Sequence, residues 1–519
     1  MEDLVIQNRN NLFKDKNISL NDEREKNILT LRKKKLDSFL LKKRLNNSNH
    51  NNLLEETNLN IIPELLNIPN QSQLNFNVLN ENIIQIIVNY LTSQNLNYIK
   101  YAIHLLKEYS VNNNFTKGDI EILKNYKILE ILGLILQTNY NETQIVNEII
   151  WIFINIQINE SIEKDFLSTI VTEKLLILYS HFLDSNYDKI VISVLWMLNN
   201  LVIYKEFKNI ICNNEIIEKI IELSNLEISD VELNGFCLQF FDLLLYRFEF
   251  EDNNKRIRKI LTEIIKIGCI NLFNKNPTSL LLAYKILAKI SEISDNDLLQ
   301  KIEEEGAMVK IIKTKYKKDN LDLAINGVKI ISNLFCGNNK LIEDLINMRI
   351  IDFYENILNE FHQNKQIILY CLFGLFNLSS SKYQYKKILM NCIIFNEESF
   401  NYLIESCDNY IHEKICDIMY NLCSTKKFEM LKFLYDKKCI LKIISLLYSE
   451  KNNKDKIIKY LQIIERYISS FYEKEKNCIE YKNVEELYKN ILSNSSNILE
   501  LLDTNTFNLF SENLRNNLN

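Results

Sequence analysis

Seven cations crowd into the fourteen residues from Leu31 to Arg44: Arg32, Lys33, Lys34, Lys35, Lys42, Lys43 and Arg44. At that density lysine and arginine perform no covalent chemistry by themselves; they bind anions. Residues 21–44 hold nine Lys/Arg against four Asp/Glu, a charge of +5, which leaves −10 for the rest of a chain whose total is −5. A basic arm on an acidic body holds either an acidic partner or the body itself. Groups for catalysis are not assembled. The five His are dispersed, and there is neither a glycine-rich phosphate loop nor a Gly-x-Ser-x-Gly nucleophile turn. The 11 Cys form no Cys-x-x-Cys pair and have no neighbouring His pairs, so neither a zinc site nor a redox motif is expected. The reading is a binding protein, not an enzyme, with no cofactor and no metal.

A second pattern is more specific. The only two Trp in the chain each stand four residues before an Asn, as Trp151…Asn155 and Trp196…Asn200. Residues i and i+4 share one helical face. Repeated on parallel helices, the pair makes a ladder of indole and amide groups.

Helices are what the composition supports. Of 519 residues 47% are apolar, enough for a buried core, and 25% are charged. With only 8 Gly and 3 Pro, the chain lacks the turn residues that hairpins and α/β folds need. Asn, Ile and Lys are over-used throughout, so no single Asn carries weight alone. An apolar–polar–apolar signature recurs at Asn155, Asn200, Leu244, Lys289, Asn333, Asn377, Asn421 and Arg466, in steps of 45, 44, 45, 44, 44, 44 and 45 residues. Ala102–Lys107 is a weaker first member, and a second apolar helix precedes each rung, as at Gly306–Ile312. A period near 44 is that of helical armadillo or HEAT repeats, whose units bury their faces only by stacking. Residues 78–510 are therefore expected to form one solenoid of about ten repeats. Ahead of it lie a basic helix from near Asp22 to Arg44 and a flexible, Asn-rich linker over residues 46–77; residues 511–519 form a tail. Met1-Glu2-Asp3-Leu4 lacks the layout of a secretory signal. No run approaches the ~18 apolar residues of a membrane span, and scattered thiols fit a reducing, cytosolic or nuclear setting.

Together these features resemble importin-α, the adaptor that links nuclear cargo to importin-β. Three stretches carry the likeness. The basic helix, Leu31–Lys35 and Leu41–Arg44, is similar in spacing and final cluster to the family's importin-β-binding segment. Leu74-Asn75-Phe76-Asn77-Val78 resembles the entry to the first armadillo repeat, and Trp-x-x-x-Asn occurs at two consecutive rungs. The resemblance spans nearly the whole chain. It implies an all-α, right-handed superhelical solenoid of armadillo repeats behind an importin-β-binding segment, residues 1–45. It implies a major cargo site at Trp151, Asn155, Trp196 and Asn200, with Glu148 at its margin. There, Asn amides would bond the backbone of an extended basic peptide, and Trp faces would hold its Lys/Arg side chains. A minor site would comprise Asn333, Phe373, Asn377 and Asn421. Arg32, Lys33, Lys34, Lys35, Lys42, Lys43 and Arg44 would bind the acidic channel of importin-β. Through the linker the same cluster would also occupy the chain's own groove as an autoinhibitor. The implied partners are importin-β, cargo with basic nuclear localisation signals and an exportin, with shuttling between cytoplasm and nucleus, no nucleic acid and no membrane insertion.

The chain departs from the family pattern in named places. Phe240 and Leu244 replace the next Trp and Asn, Tyr204 stands where an Asp is expected, and Lys329 and Asp417 take Trp positions either side of Phe373. The rival reading is an armadillo scaffold for a cytoskeletal or signalling partner, which accounts for the lost Trp residues but not for the basic helix. A nucleic-acid binder would have to press the −10 body against a polyanion.

Overall fold

The computed structural model describes residues 79–112, 115–157, 164–212, 214–226, 230–246, 254–406, 408–450, 453–471 and 475–494. The basic segment 1–45, the linker 46–77 and the tail 511–519 lie outside them. Among the described residues there are 26 α-helices, three short 3₁₀ turns and no strand. Two compact units are formed, one ending at Ile286 and the other beginning at Leu287.

In both units there are sets of three helices: a short one, a second of about three turns, and a long third that carries the rung. Lys117–Asn125, Ile128–Thr138 and Thr143–Gln157 form one such set in the first unit; Asn339–Asn347, Ile350–Glu360 and Lys365–Ser379 form one in the second. This three-helix unit is the armadillo repeat. The rung helices bury Ile, Leu, Val and Phe against the other two, and the ten described cysteines are free, eight of them buried.

Local chemistry explains where the helices start. Much of the asparagine surplus is used at N-caps: Asn80, Asn254, Asn338, Asn364 and Asn453 each accept a backbone N–H from the first turn. Between first and second helices the chain turns through the left-handed region, at Lys127 (φ 52°), Gly306 (φ 76°), Arg349 (φ 59°) and Lys438 (φ 59°). For a residue with a Cβ that conformation costs roughly 1–2 kcal/mol, so three of these four turns are held by the packing on either side.

Consecutive rung helices of a unit lie side by side and run in the same direction. In the first unit Ser193 Oγ meets Asn147 Oδ1 (3.4 Å) near the helix starts, and Asn200 Nδ2 meets Gln157 Oε1 (3.3 Å) near the ends. In the second, Gly374 lets three helices close together. A Cβ there would collide with the Tyr354 hydroxyl and lie 2.9 Å from Ser332 Oγ. That Ser332 hydroxyl donates to the Tyr370 carbonyl at 2.7 Å.

Candidate functional site

The ladder positions face one another across neighbouring rung helices, so their environment is set by packing between repeats. In the first unit Trp151 is half-buried, whereas Trp196 is only 1% exposed. The Trp151 ring meets Trp196 edge-on at 5.5 Å, and Phe236 of the next repeat lies 6.0 Å from Trp196 on the other side. One indole is therefore open to a ligand and the other is core. Sequence spacing made them equivalent; Phe236 separates them.

The asparagines are used differently from the expectation. Asn155 is buried and donates to Ser110 Oγ at 2.9 Å; Asn200 is half-buried and donates to Gln157 Oε1. In the second unit Asn333 donates to Ser291 Oγ (2.9 Å), and Asn377 to the Ser332 carbonyl (3.4 Å) and Cys336 Sγ (3.1 Å). Asn421 donates to Ser379 Oγ (3.0 Å) and Ser380 Oγ (2.9 Å), and Arg466 Nε to Ser424 Oγ (2.9 Å). Every asparagine rung, and Arg466, thus sends a donor back to the repeat before it. Asn377 is wholly buried, Asn333 nearly so, and only Asn200 and Asn421 keep amide surface open to solvent. The row of acceptors was missed in the sequence, although Ser110, Gln157, Ser291 and Ser379 all stand 42–45 residues before their donors.

Charge on the rung face is matched internally. Glu148, 6% exposed, sits 3.2 Å from His104 Nδ1 and 3.4 Å from Lys107 Nζ. Burial pushes its carboxyl up, but the His104 hydrogen bond and the charges of Lys107 and His104 more than offset that and leave it below the usual value. In the second unit Lys329 pairs with Glu292 and lies 5.8 Å from the Tyr370 ring centre. Lys414 sits 4.6 Å over Phe376 and Arg466 5.6 Å over Tyr420. Asp417 is bridged by Lys414 (3.2 Å) and Lys459 (2.8 Å). Phe373, the expected slot residue, is 8% exposed. The described residues bring together no group of His, Cys, Asp and Glu able to hold a metal ion, and no described helix is long and apolar enough to cross a membrane.

No protein-family model matches the sequence, and no curated protein matches it either. Solved structures do. An engineered protein from the Northeast Structural Genomics Consortium matches over 84% of this chain and 98% of its own, at 15% identity and a TM-score of 0.63. A designed armadillo repeat protein matches over 56% of this chain and 98% of its own (15% identity, TM-score 0.34). Computationally designed armadillo repeat proteins for modular peptide recognition match over 49% and 98% (16% identity, TM-score 0.40). The first likeness is one of fold alone; the two weaker superpositions bear no part of the argument. With the three-helix repeat, the fold class is an all-α solenoid of armadillo repeats.

Proposed function

We propose that the protein is a peptide-binding adaptor that holds a basic nuclear localisation signal on the rung face of its first unit. In this reading residues 1–45 join it to importin-β, and it shuttles between cytoplasm and nucleus without catalysing a reaction. An exportin returns it. The supporting observation is the half-open Trp151 ring, stacked edge-on against Trp196, with the half-exposed Asn200 amide on the adjoining helix. An indole and an amide on adjoining helices are the groups that receive a cationic side chain and a peptide backbone, a cation–π contact being worth roughly 0.5–1 kcal/mol at an exposed site. Glu148, one turn before Trp151, adds a carboxylate, already shared with His104 and Lys107.

One observation favours a second reading for the other unit. Its rung asparagines donate within the chain, its own cations lie over Tyr370, Phe376 and Tyr420, and Asp417 is paired with lysine, as in a scaffold that does not read basic signals. Fluorescence anisotropy of a labelled basic signal peptide with the full chain separates the two. The adaptor requires binding that importin-β strengthens and Trp151→Ala weakens about two- to fivefold. Absence of binding even with importin-β present leaves the scaffold reading.

A further inference from the structure

Between the rung helices Asn409–Cys423 and Lys454–Ser469 lies a cavity of ≈ 620 Å³, lined by Asn409, His412 and Glu413 on one side and by Lys456, Lys459 and Gln462 on the other. Its lining also includes Asp455, in the first turn of the later helix. From there towards the helix end, one line of that helix is cationic or amide: Lys456 and Lys459, half-buried, then Gln462 and Arg466, exposed, with Glu465 beside the last. Spacings of three, three and four residues keep them on one face.

These cations are fixed rather than floating. Arg466 is stacked over Tyr420 with its Nε spent on Ser424, which leaves the outer guanidinium donors as a fork. Lys459 and Lys414 share the single carboxylate of Asp417, so neither has it alone, and Glu413 across the cavity also acts on Lys459. Lys459 is still 39% exposed at its side chain. The buried His412 ring beneath reports the resulting field. Burial first, then the charges of Lys456 and Lys459, which outweigh Glu450 and Glu413, bring it down to about 4.

We propose that this face of the second unit binds an acidic peptide segment, with two anionic side chains three residues apart reaching Lys459 and Arg466. Seven residues along an α-helix separate those cations by about 10 Å, and three residues of an extended polyproline-type chain cover about 9 Å. A cationic peptide meets the opposite situation: the ring faces that would receive it carry the chain's own Lys329, Lys414 and Arg466. The proposal does not depend on the adaptor reading.

The test is anisotropy on the full chain with three short labelled peptides that differ only in their paired residues: Glu-x-x-Glu, phosphoserine-x-x-phosphoserine and Lys-x-x-Lys. Residues 21–44 also attract acidic peptides, so the deciding quantity is dependence on Arg466. Arg466→Glu is expected to weaken the anionic peptides roughly tenfold and Arg466→Gln by less, with the Trp151-dependent binding of basic peptide unchanged. Whichever anionic peptide binds in this way identifies the source of the charge. Affinity indifferent to both substitutions, or Lys-x-x-Lys binding that Arg466→Glu strengthens from a level already above that of Glu-x-x-Glu, overturns the proposal.

Discussion

The two units carry the same ladder and use it differently. In the first, the turn before the rung asparagine is indole, one ring open and one covered, and the buried carboxylate one turn earlier is Glu148 with His104 and Lys107 around it. In the second, that turn is Lys329, Phe373 or Asp417, and cations stand over Tyr370, Phe376 and Tyr420. A shared repeat period therefore guarantees a shared scaffold but not a shared ligand. The backbone places equivalent positions side by side, and the identity of one residue per turn decides whether a ring face is offered or filled.

The largest expected effect separates the two indoles. Trp196→Ala removes a wholly buried side chain between Trp151 and Phe236 and is expected to cost about 3–5 kcal/mol. Trp151→Ala, at a half-buried ring, should cost less in stability and act on peptide binding instead. Urea unfolding of each variant, followed by the emission of its remaining Trp, gives both numbers. Equal destabilisation would erase the distinction between open and covered ring.

Acid should divide the units next. His412 is held neutral at about 4 in the folded chain, against 6.5 when unfolded. The unfolded state therefore binds the extra proton between those values, and the stabilisation is complete above pH 6.5 and lost as pH falls towards 4. Because the site opens on the adjoining cavity, solvent screening reduces the effect to about 2 kcal/mol. Glu148 is also depressed, so its contribution persists to lower pH and is lost only as acid passes below the ordinary carboxylate range, about 4. Both Trp lie in the first unit, so their emission reports it alone, while far-ultraviolet dichroism reports all helices. Helix stability should fall between pH 6.5 and 4 before the Trp emission responds, and His412→Gln should abolish the early loss. Simultaneous loss by both probes in the wild-type chain would contradict the division.

What could be read in the sequence follows from the range of the interactions involved. The rung helices were legible because apolar periodicity is local and recurs every 44 or 45 residues. The burial of Trp196 was not, because it depends on Phe236, one repeat away, and nothing in Trp-x-x-x-Asn distinguishes a rung whose next neighbour carries a ring. Lys329 was legible as a cation at a Trp position, but not as one already paired with Glu292. The left-handed turns at Lys127, Arg349 and Lys438 left no signal either, since the residue that usually marks them, glycine, stands only at Gly306.

The smallest effect tests what the asparagines are for. Asn377 is fully buried, donates to Ser332 and Cys336, and has a carbonyl oxygen with no partner among the described residues. That unmet acceptor offsets part of what the donor side contributes, so Asn377→Ala should cost only about 1 kcal/mol. Asn200→Ala loses a single, half-exposed bond to Gln157 and should cost about 0.5 kcal/mol. The two differ more in binding than in stability. Asn200 keeps amide surface beside Trp151, and its removal should weaken a basic peptide severalfold; Asn377 has no surface to offer, and its removal should leave every peptide unaffected. Measuring both variants by chemical unfolding and by anisotropy completes the comparison. A binding loss in Asn377→Ala with stability intact would mean that the second unit opens in solution and that its ladder, too, is offered to a ligand.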